Sequence, residues 1–131
     1  RVAGGSMWFA PGSQAKGSDT RDQTELAQQI LGKYGFDYVA EYIVGWRDMH
    51  HVIDLLYSRQ DPEETQRAHD CFAELIDEFA KRGYGLYRTN NEFMEQVAGT
   101  FGEPLREVHT TLKRALDPNG ILSPGKSGIR L

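Results

Sequence analysis

The chain has 131 residues, enough for one domain with a hydrophobic core. Its 15 basic and 19 acidic residues give a net charge of −4, and because the basic residues are scattered, nucleic acid is disfavoured as a partner. A hydrophobic fraction of 39% without a long apolar run excludes a membrane span, and the single Cys71 excludes an internal disulfide framework.

The chain begins at Arg1, without an initiator Met or a leader, and runs directly into Val2-Ala3-Gly4-Gly5-Ser6. Such a beginning is typical of sequence from the middle of a chain. We therefore expect a fragment of a longer protein.

The first elements are a short strand and a helix. The apolar run Met7-Trp8-Phe9, bounded by glycine and proline, predicts a buried strand, and residues 12–20 are expected to form a loop. A helix is predicted from about 21 to 34, ending before Gly35. Its apolar positions recur at helical spacing: Leu26, Ala27, Ile30 and Leu31.

Two strands are predicted next, over 37–46 and 49–57, joined by a turn at 45–48 as an antiparallel pair. Alternation along the first strand places Glu41 on the same face as the apolar Val39 and Ile43.

A long helix is predicted from Asp61 to about Arg82, since Asp61-Pro62-Glu63-Glu64 combines a capping residue, Pro at the first helical position and acids near the positive dipole end. Its apolar face comprises Ala68, Phe72, Leu75, Ile76 and Phe79. Residues 86–88 are a candidate final strand.

The order of these elements predicts an α+β fold, a ferredoxin-like antiparallel sheet with helices on one face. Helices are also expected over about 91–98 and 104–116, followed by an irregular tail over 121–131. We predict a first domain over 1–90 and a C-terminal helical segment with its tail over 91–131.

Tyr87 and Arg88 lie side by side between two predicted helices, with Gly83 and Gly85 flanking Tyr84 just before them. A phenolic hydroxyl and a planar guanidinium together suit an anionic, aromatic ligand such as a phenolate. The alternative is a buried tyrosine followed by a surface arginine.

Glu41, His50 and Asp54 are predicted to share one face of the two-stranded pair, which would make an acid–base cluster or a solvated polar face. His50 and His51 are adjacent on a strand, point to opposite faces and cannot chelate one ion together. Since Cys71 also has no ligand at zinc spacing, no metal site is predicted.

The segment from Gly120 to Ser127 fits the written pattern of a phosphate-binding loop, but a helix precedes it, Pro124 removes a backbone donor and four residues follow. We reject a nucleotide triphosphate site there.

The sequence resembles the vanillyl-alcohol oxidase family of FAD enzymes, in the branch that acts on 4-cresol, and the resemblance covers essentially the whole chain. The matching runs are 7–11 (MWFAP), 38–41 (YVAE), 47–54 (RDMHHVID), 87–90 (YRTN) and 116–129 (LDPNGILSPGKSGI). The larger FAD-binding portion of that family is expected upstream of Arg1.

The resemblance implies a role for each matching residue. Tyr87 and Arg88 match the pair that binds the phenolic oxygen of a para-alkylphenol, and Glu41, His50 and Asp54 match polar active-site residues. Trp8 and Lys126 match residues close to the flavin. The implied reaction is FAD-dependent oxidation of the para-alkyl group to a quinone methide, which water then attacks.

The resemblance also implies FAD in the full-length protein, an acceptor that is either a c-type cytochrome subunit or oxygen, and a periplasmic location. Ser6 stands where the oxidase branch has a flavin-linking histidine, so a covalent link would need another residue, a tyrosine expected just before Arg1. We expect this chain alone to be inactive, to lack FAD and to form homo-oligomers through Met7-Trp8-Phe9. The alternative is a non-catalytic, ferredoxin-like binding module.

Overall fold

The computed structural model describes residues 3–131. Among them five strands form one antiparallel sheet: β1 (Gly4–Phe9), β2 (Pro11–Ser13), β3 (Ala40–Val44), β4 (Met49–Ser58) and β5 (Gly85–Leu86). The long central β4 pairs with β1 and β2 along one side and with β3 along the other, while β5 pairs with β2.

Helix α1 (Gly17–Lys33) connects β2 to β3, and helix α2 (Pro62–Lys81) connects β4 to β5. Because β1 and β2 pair with β4 in one continuous register, they act as a single strand, and the order of elements is βαββαβ. The predicted α+β fold, an antiparallel sheet with helices on one face, is confirmed.

Both helices form where the sequence predicts them. The Asp61 carboxylate accepts hydrogen bonds from the backbone N–H groups of Glu63 (2.9 Å) and Glu64 (3.2 Å), which caps α2. Glycines at positive φ, Gly35 (76°) and Gly83 (83°), follow the ends of α1 and α2.

The core lies between the sheet and the two helices and centres on Phe9, whose ring meets Phe79 at 4.9 Å and Phe72 at 5.6 Å, both edge to face. The predicted apolar positions of both helices are buried: Leu26, Ala27, Ile30, Leu31, Ala68, Phe72, Leu75, Ile76 and Phe79.

Several element boundaries differ from the prediction. The expected loop over 12–20 contains the end of β2 and the first turn of α1, which starts at Gly17 without a side-chain cap. The strand predicted over 37–46 is shorter, Ala40–Val44, and the one predicted over 86–88 is Gly85–Leu86, so Tyr87 and Arg88 follow the strand. β2 begins at Pro11, which pairs with Leu86, so the pairing and with it β5 end at Leu86.

The prediction that Met7-Trp8-Phe9 is a buried strand is wrong for Trp8. Met7 and Phe9 point into the core, whereas Trp8 is 53% exposed on the other face, as strand alternation requires. Of these three residues, only Trp8 is therefore available as the contact for self-association.

The contacts divide the chain into two compact units, of which the first ends at Thr89 and the second comprises Asn90–Leu131. The second unit contains α3 (Met94–Gly99), α4 (Glu103–Leu116) and a 3₁₀ turn at Lys126–Gly128 inside the tail that was expected to be irregular.

The buried Asp117 fixes the chain after α4. Its carboxylate accepts hydrogen bonds from the backbone N–H groups of Ile121 (3.0 Å) and Leu122 (2.9 Å), and it forms an ion pair with Lys113 at 2.5 Å. The Lys113 ammonium and these backbone donors hold the pKa of Asp117 below its usual value. These bonds hold the chain in the sharp turn that follows α4.

The segment from Gly120 to Ser127 is preceded by the helix α4 and not by a strand. It ends in the 3₁₀ turn and not in a long helix. The structural context of a phosphate-binding loop is therefore missing, as expected from the sequence. No helix in residues 3–131 has the length and apolar composition needed to cross a membrane.

Candidate active site

The face of the sheet opposite α1 and α2 is the candidate site, and we call it the open face. Residues paired across an antiparallel sheet share a face, and the register pairs Trp8 with Asp54, Glu41 with Val52, and Ile43 with His50. Trp8, Glu41, His50 and Asp54 therefore lie on one face, which the sequence predicted for Glu41, His50 and Asp54.

A concavity of about 240 Å³ lies on the open face. Its walls combine one indole and two carboxylates with apolar side chains: Trp8, Val39, Ala40, Glu41, Val52 and Asp54. Two acids beside an aromatic ring in an apolar depression are groups that can take or give a proton next to an aromatic ligand.

Asp54 is held by a neighbour that the sequence analysis did not identify as a partner. The Ser6 hydroxyl donates a hydrogen bond to the Asp54 carboxylate at 2.5 Å, from β1 to β4. Ser6 pairs with Leu56, two residues beyond Asp54, so alternation along both strands could have shown that the two side chains share a face.

His50 is on the same face but does not line the concavity. Its Nε2 lies 2.9 Å from a carboxylate oxygen of Asp48, and its ring lies 4.5 Å from the ring of Tyr87 in a tilted arrangement. The predicted cluster is therefore divided: Glu41 and Asp54 share the concavity, while His50 is beside Tyr87.

Tyr87 and Arg88 reach the open face from the end of β5. The backbone N–H of Tyr87 lies 3.5 Å from the carbonyl of Ala10, and both side chains are exposed. The Arg88 guanidinium carbon lies 5.1 Å from the centre of the Trp8 ring and 5.4 Å from that of Tyr87. A phenol, a guanidinium and an indole thus meet beside the concavity.

His51 points into the opposite face, as predicted for adjacent residues on a strand. It is fully buried, accepts or donates one hydrogen bond with the Tyr38 hydroxyl at 2.8 Å, and stacks on Tyr42 at 4.3 Å. Burial lowers the pKa of His51 to about 4. Within residues 3–131 no group of three His, Cys, Asp or Glu side chains is arranged to hold a metal ion.

Lys126 belongs to the second unit, where it is exposed at the start of the 3₁₀ turn. The turn is fixed by Gly128, because a Cβ there would lie 2.3 Å from the Cβ of Ala98 on α3. Only a glycine allows so close an approach, and its φ of 65° also favours glycine.

Comparison with known proteins gives a consistent result. Residues 16–127 match the family "FAD linked oxidases, C-terminal domain". The chain is 57% identical over its whole length to the 4-cresol dehydrogenase [hydroxylating] flavoprotein subunit of Pseudomonas putida, and 28% identical over 130 residues to 1'-carboxy-chondrochloren decarboxylase of Chondromyces crocatus. It covers 25% and 23% of these two proteins, respectively.

Two solved structures share the fold. A structure of p-cresol methylhydroxylase with substrate bound matches 96% of this chain with a TM-score of 0.91 and 57% identity. A 4-ethylphenol oxidase from Gulosibacter chungangensis, as an isoeugenol complex, matches 98% with a TM-score of 0.91 and 42% identity. The chain spans about a quarter of the length of each, 24% and 25%.

FAD is the cofactor of the full-length proteins in which this domain occurs, as the description of the matching family states. The match covers residues 16–127, most of the 131-residue chain, including both helices that pack on the sheet. The chain therefore belongs to the family of C-terminal domains of FAD-linked oxidases.

Proposed function

We propose that this chain is the C-terminal, substrate-facing part of an FAD-dependent dehydrogenase that oxidises and hydroxylates the para-alkyl group of 4-cresol-like phenols. The observation that carries the proposal is the meeting of Tyr87, Arg88 and Trp8 beside the acid-lined concavity of the open face. The similarity to a 4-cresol dehydrogenase subunit supports the same substrate class.

Tyr87 and Arg88 bind the phenolic oxygen in this proposal. The Tyr87 hydroxyl donates one hydrogen bond, and the Arg88 guanidinium supplies a positive charge and further donors. Together they stabilise the phenolate, whose oxygen supplies the electron density that allows hydrogen to leave the para-alkyl carbon with its electron pair.

The open face fits the isoalloxazine ring of FAD, because a half-exposed indole beside a concavity with apolar walls suits a flat aromatic system. We assign Trp8 and Lys126 to cofactor binding, Lys126 from the resemblance and its exposed positive charge. When bound, FAD supplies the oxidising power by accepting the hydrogen and two electrons removed from the substrate.

Loss of that hydrogen and its electron pair turns the phenolate into a neutral quinone methide. Water then forms a bond to the exocyclic carbon, one of its protons passes to a base, and the ring regains aromaticity with its oxygen as phenolate. Glu41 and Asp54 both line the concavity, and we assign the role of this base to one of them. His50 does not line the concavity and lies beside Tyr87.

The relative in Pseudomonas putida is described as a flavoprotein subunit, which implies a second subunit. We propose a c-type cytochrome as the electron acceptor of the full-length protein, with oxygen as the alternative acceptor. We also propose that residues 1–90 act as the substrate domain and residues 91–131 return to the FAD-binding portion.

The test is turnover of 4-cresol by the full-length protein with an artificial electron acceptor, with the 131-residue chain assayed in parallel. We expect turnover by the full-length protein and none by the chain alone. If the full-length protein oxidises no para-alkylphenol, the proposed function is refuted and a non-catalytic binding module becomes the better hypothesis.

A further inference from the structure

The Arg88 side chain is held on the open face by aromatic rings alone. Its guanidinium carbon lies 5.1 Å from the centre of the Trp8 ring and 5.4 Å from that of the Tyr87 ring. Within residues 3–131 this side chain forms no hydrogen bond and no ion pair. A ring face attracts a guanidinium without engaging its N–H groups, so these donors remain available to a ligand.

Two carboxylates share the open face with Arg88 and yet do not pair with it. Glu41 and Asp54 line the concavity together with Trp8. Asp54 accepts a hydrogen bond from the Ser6 hydroxyl instead. A carboxylate bound to the guanidinium would balance its charge and occupy its donors. The ring contacts therefore keep an uncompensated positive charge beside the concavity, which suits a ligand with a negative oxygen.

The indole and the guanidinium differ in how firmly the backbone holds them. Trp8 lies inside β1, which pairs with the central β4, and its neighbours Met7 and Phe9 are buried in the core. Arg88 is exposed and follows β5, a strand of only two residues. Because the sheet fixes Trp8, its ring gives the long side chain of Arg88 a fixed point of contact.

We propose that Trp8 is a positioning residue, whose ring face restrains the Arg88 guanidinium so that its N–H groups are ready to bind a phenolate oxygen. This inference rests on the proposed function and is separate from the contact of Trp8 with the cofactor. A side chain that is restrained before the ligand arrives loses less freedom on binding, so the anion binds more tightly. Trp8 thus sets the affinity for the phenolate by acting through Arg88.

The first experiment measures the binding of 4-nitrophenol to the full-length flavoprotein. This phenol has no alkyl group to oxidise, so calorimetric titration at a pH at which it is ionised gives a dissociation constant without turnover. We expect Trp8→Leu to weaken binding about three- to tenfold, the range of a cation–π contact, and Trp8→Phe to recover part of the loss because it keeps an aromatic face. Trp46→Leu removes the fully exposed indole of the turn between β3 and β4, and this matched control should bind like wild type.

A double-mutant cycle separates the positioning role from a direct contact of Trp8 with the flavin or the phenol. In the Arg88→Gln background, which has no guanidinium, Trp8→Leu should change the dissociation constant by less than about twofold. A direct contact would survive the loss of the guanidinium and give the same fold-change in both backgrounds. All variants are compared at equal flavin content, read from the flavin absorbance.

The second experiment observes Arg88 itself in the ¹⁵N-labelled 131-residue chain, in dilute solution where self-association is weakest. The ¹H–¹⁵N nuclear Overhauser effect at Nε reports the picosecond-to-nanosecond motion of the guanidinium. We expect a restrained Arg88 Nε in wild type and in Trp46→Leu, and a mobile one in Trp8→Leu. Arg67, whose guanidinium carbon lies 5.8 Å from the centre of the Phe36 ring, is the internal reference and should be the same in all three.

The outcomes separate the two proposals. If Trp8→Leu weakens 4-nitrophenol binding equally with and without the Arg88 guanidinium, or if Arg88 is equally mobile in wild type and in Trp8→Leu, the positioning role is refuted even when 4-cresol is turned over. If no para-alkylphenol is turned over while Trp8 restrains Arg88, the proposed function fails and the restraint of Arg88 by Trp8 stands.

Discussion

Acidification should destabilise the first unit through His51. This histidine is fully buried between Tyr42, on which it stacks, and the Tyr38 hydroxyl. Burial lowers its pKa from the ordinary 6.5 to about 4, so the folded protein keeps the ring neutral where the unfolded chain would protonate it.

The sign and size follow from proton linkage. Between about pH 6.5 and about pH 4 the unfolded state binds more protons at this site, so stability falls as the pH falls. The full contribution is present above the unfolded pKa. The difference in pKa corresponds to a loss of about 2 kcal/mol in the free energy of unfolding at about pH 5 and about 3 kcal/mol at about pH 4.

The assay is urea unfolding followed by far-UV circular dichroism at a series of pH values, with wild type and His51→Phe compared. Phenylalanine keeps an aromatic ring next to Tyr42 but cannot be protonated. The pKa of Glu74 is lowered by its hydrogen bonds with Lys33 and Tyr34 and that of Asp117 by Lys113, so both acids also lose stabilising charge as the pH falls through their pKa values. Their effect is common to wild type and variant and cancels in the difference.

We expect wild type to lose stability between pH 6.5 and 4 by about 2 to 3 kcal/mol more than His51→Phe does. His109→Phe, at a half-buried histidine of the second unit, is the control and should keep the wild-type pH dependence. Equal pH dependence in wild type and His51→Phe would show that the buried His51 ring is not the group that titrates.

Three further results are expected. In the full-length enzyme Arg88→Lys should lower kcat/KM by about 1–3 kcal/mol of transition-state stabilisation, because a point charge cannot replace a planar pair of donors. The control Arg106→Lys, on the exposed α4, should leave kcat/KM unchanged. Wild-type kinetics in Arg88→Lys would show that Arg88 is structural. The 131-residue chain should be colourless and should self-associate through Trp8 on the open face, so Trp8→Ser should reduce association in light scattering. A stoichiometric flavin absorbance or a monodisperse wild-type monomer would contradict this. Gly128→Ala should destabilise the second unit by about 1–3 kcal/mol, because the new Cβ meets Ala98 and the φ angle of residue 128 is positive. Hydrogen exchange measures this, and unchanged protection of the α3 amides would contradict it.

The fold could be predicted from the sequence because its signals are local. The Asp61 cap, the glycines that follow both helices and the apolar spacing of α2 each specify an element without reference to the rest of the chain. The start of α1 could not be predicted in this way, since Gly17 has no capping side chain before it and Lys16 makes no cap hydrogen bond. The length of β5 depends on its partner β2 and not on its own residues.

Strand alternation predicted which residues share the open face. Even spacing places His50 and Asp54 on one face, and the antiparallel pair adds Glu41. Alternation does not say which neighbours touch, so the division of the cluster was missed. The contact of His50 with Asp48 depends on the geometry of a four-residue turn, and its contact with Tyr87 depends on β5, which is distant in sequence.

In the proposed function, Tyr87 and Arg88 bind the phenolic oxygen of the substrate beside the concavity of the open face. A crystal structure of the full-length flavoprotein with 4-cresol bound tests it most directly. We expect the phenolic oxygen within hydrogen-bonding distance of the Tyr87 hydroxyl and the Arg88 guanidinium, with the methyl group towards Glu41 and Asp54. A bound 4-cresol whose oxygen contacts neither Tyr87 nor Arg88 would contradict it.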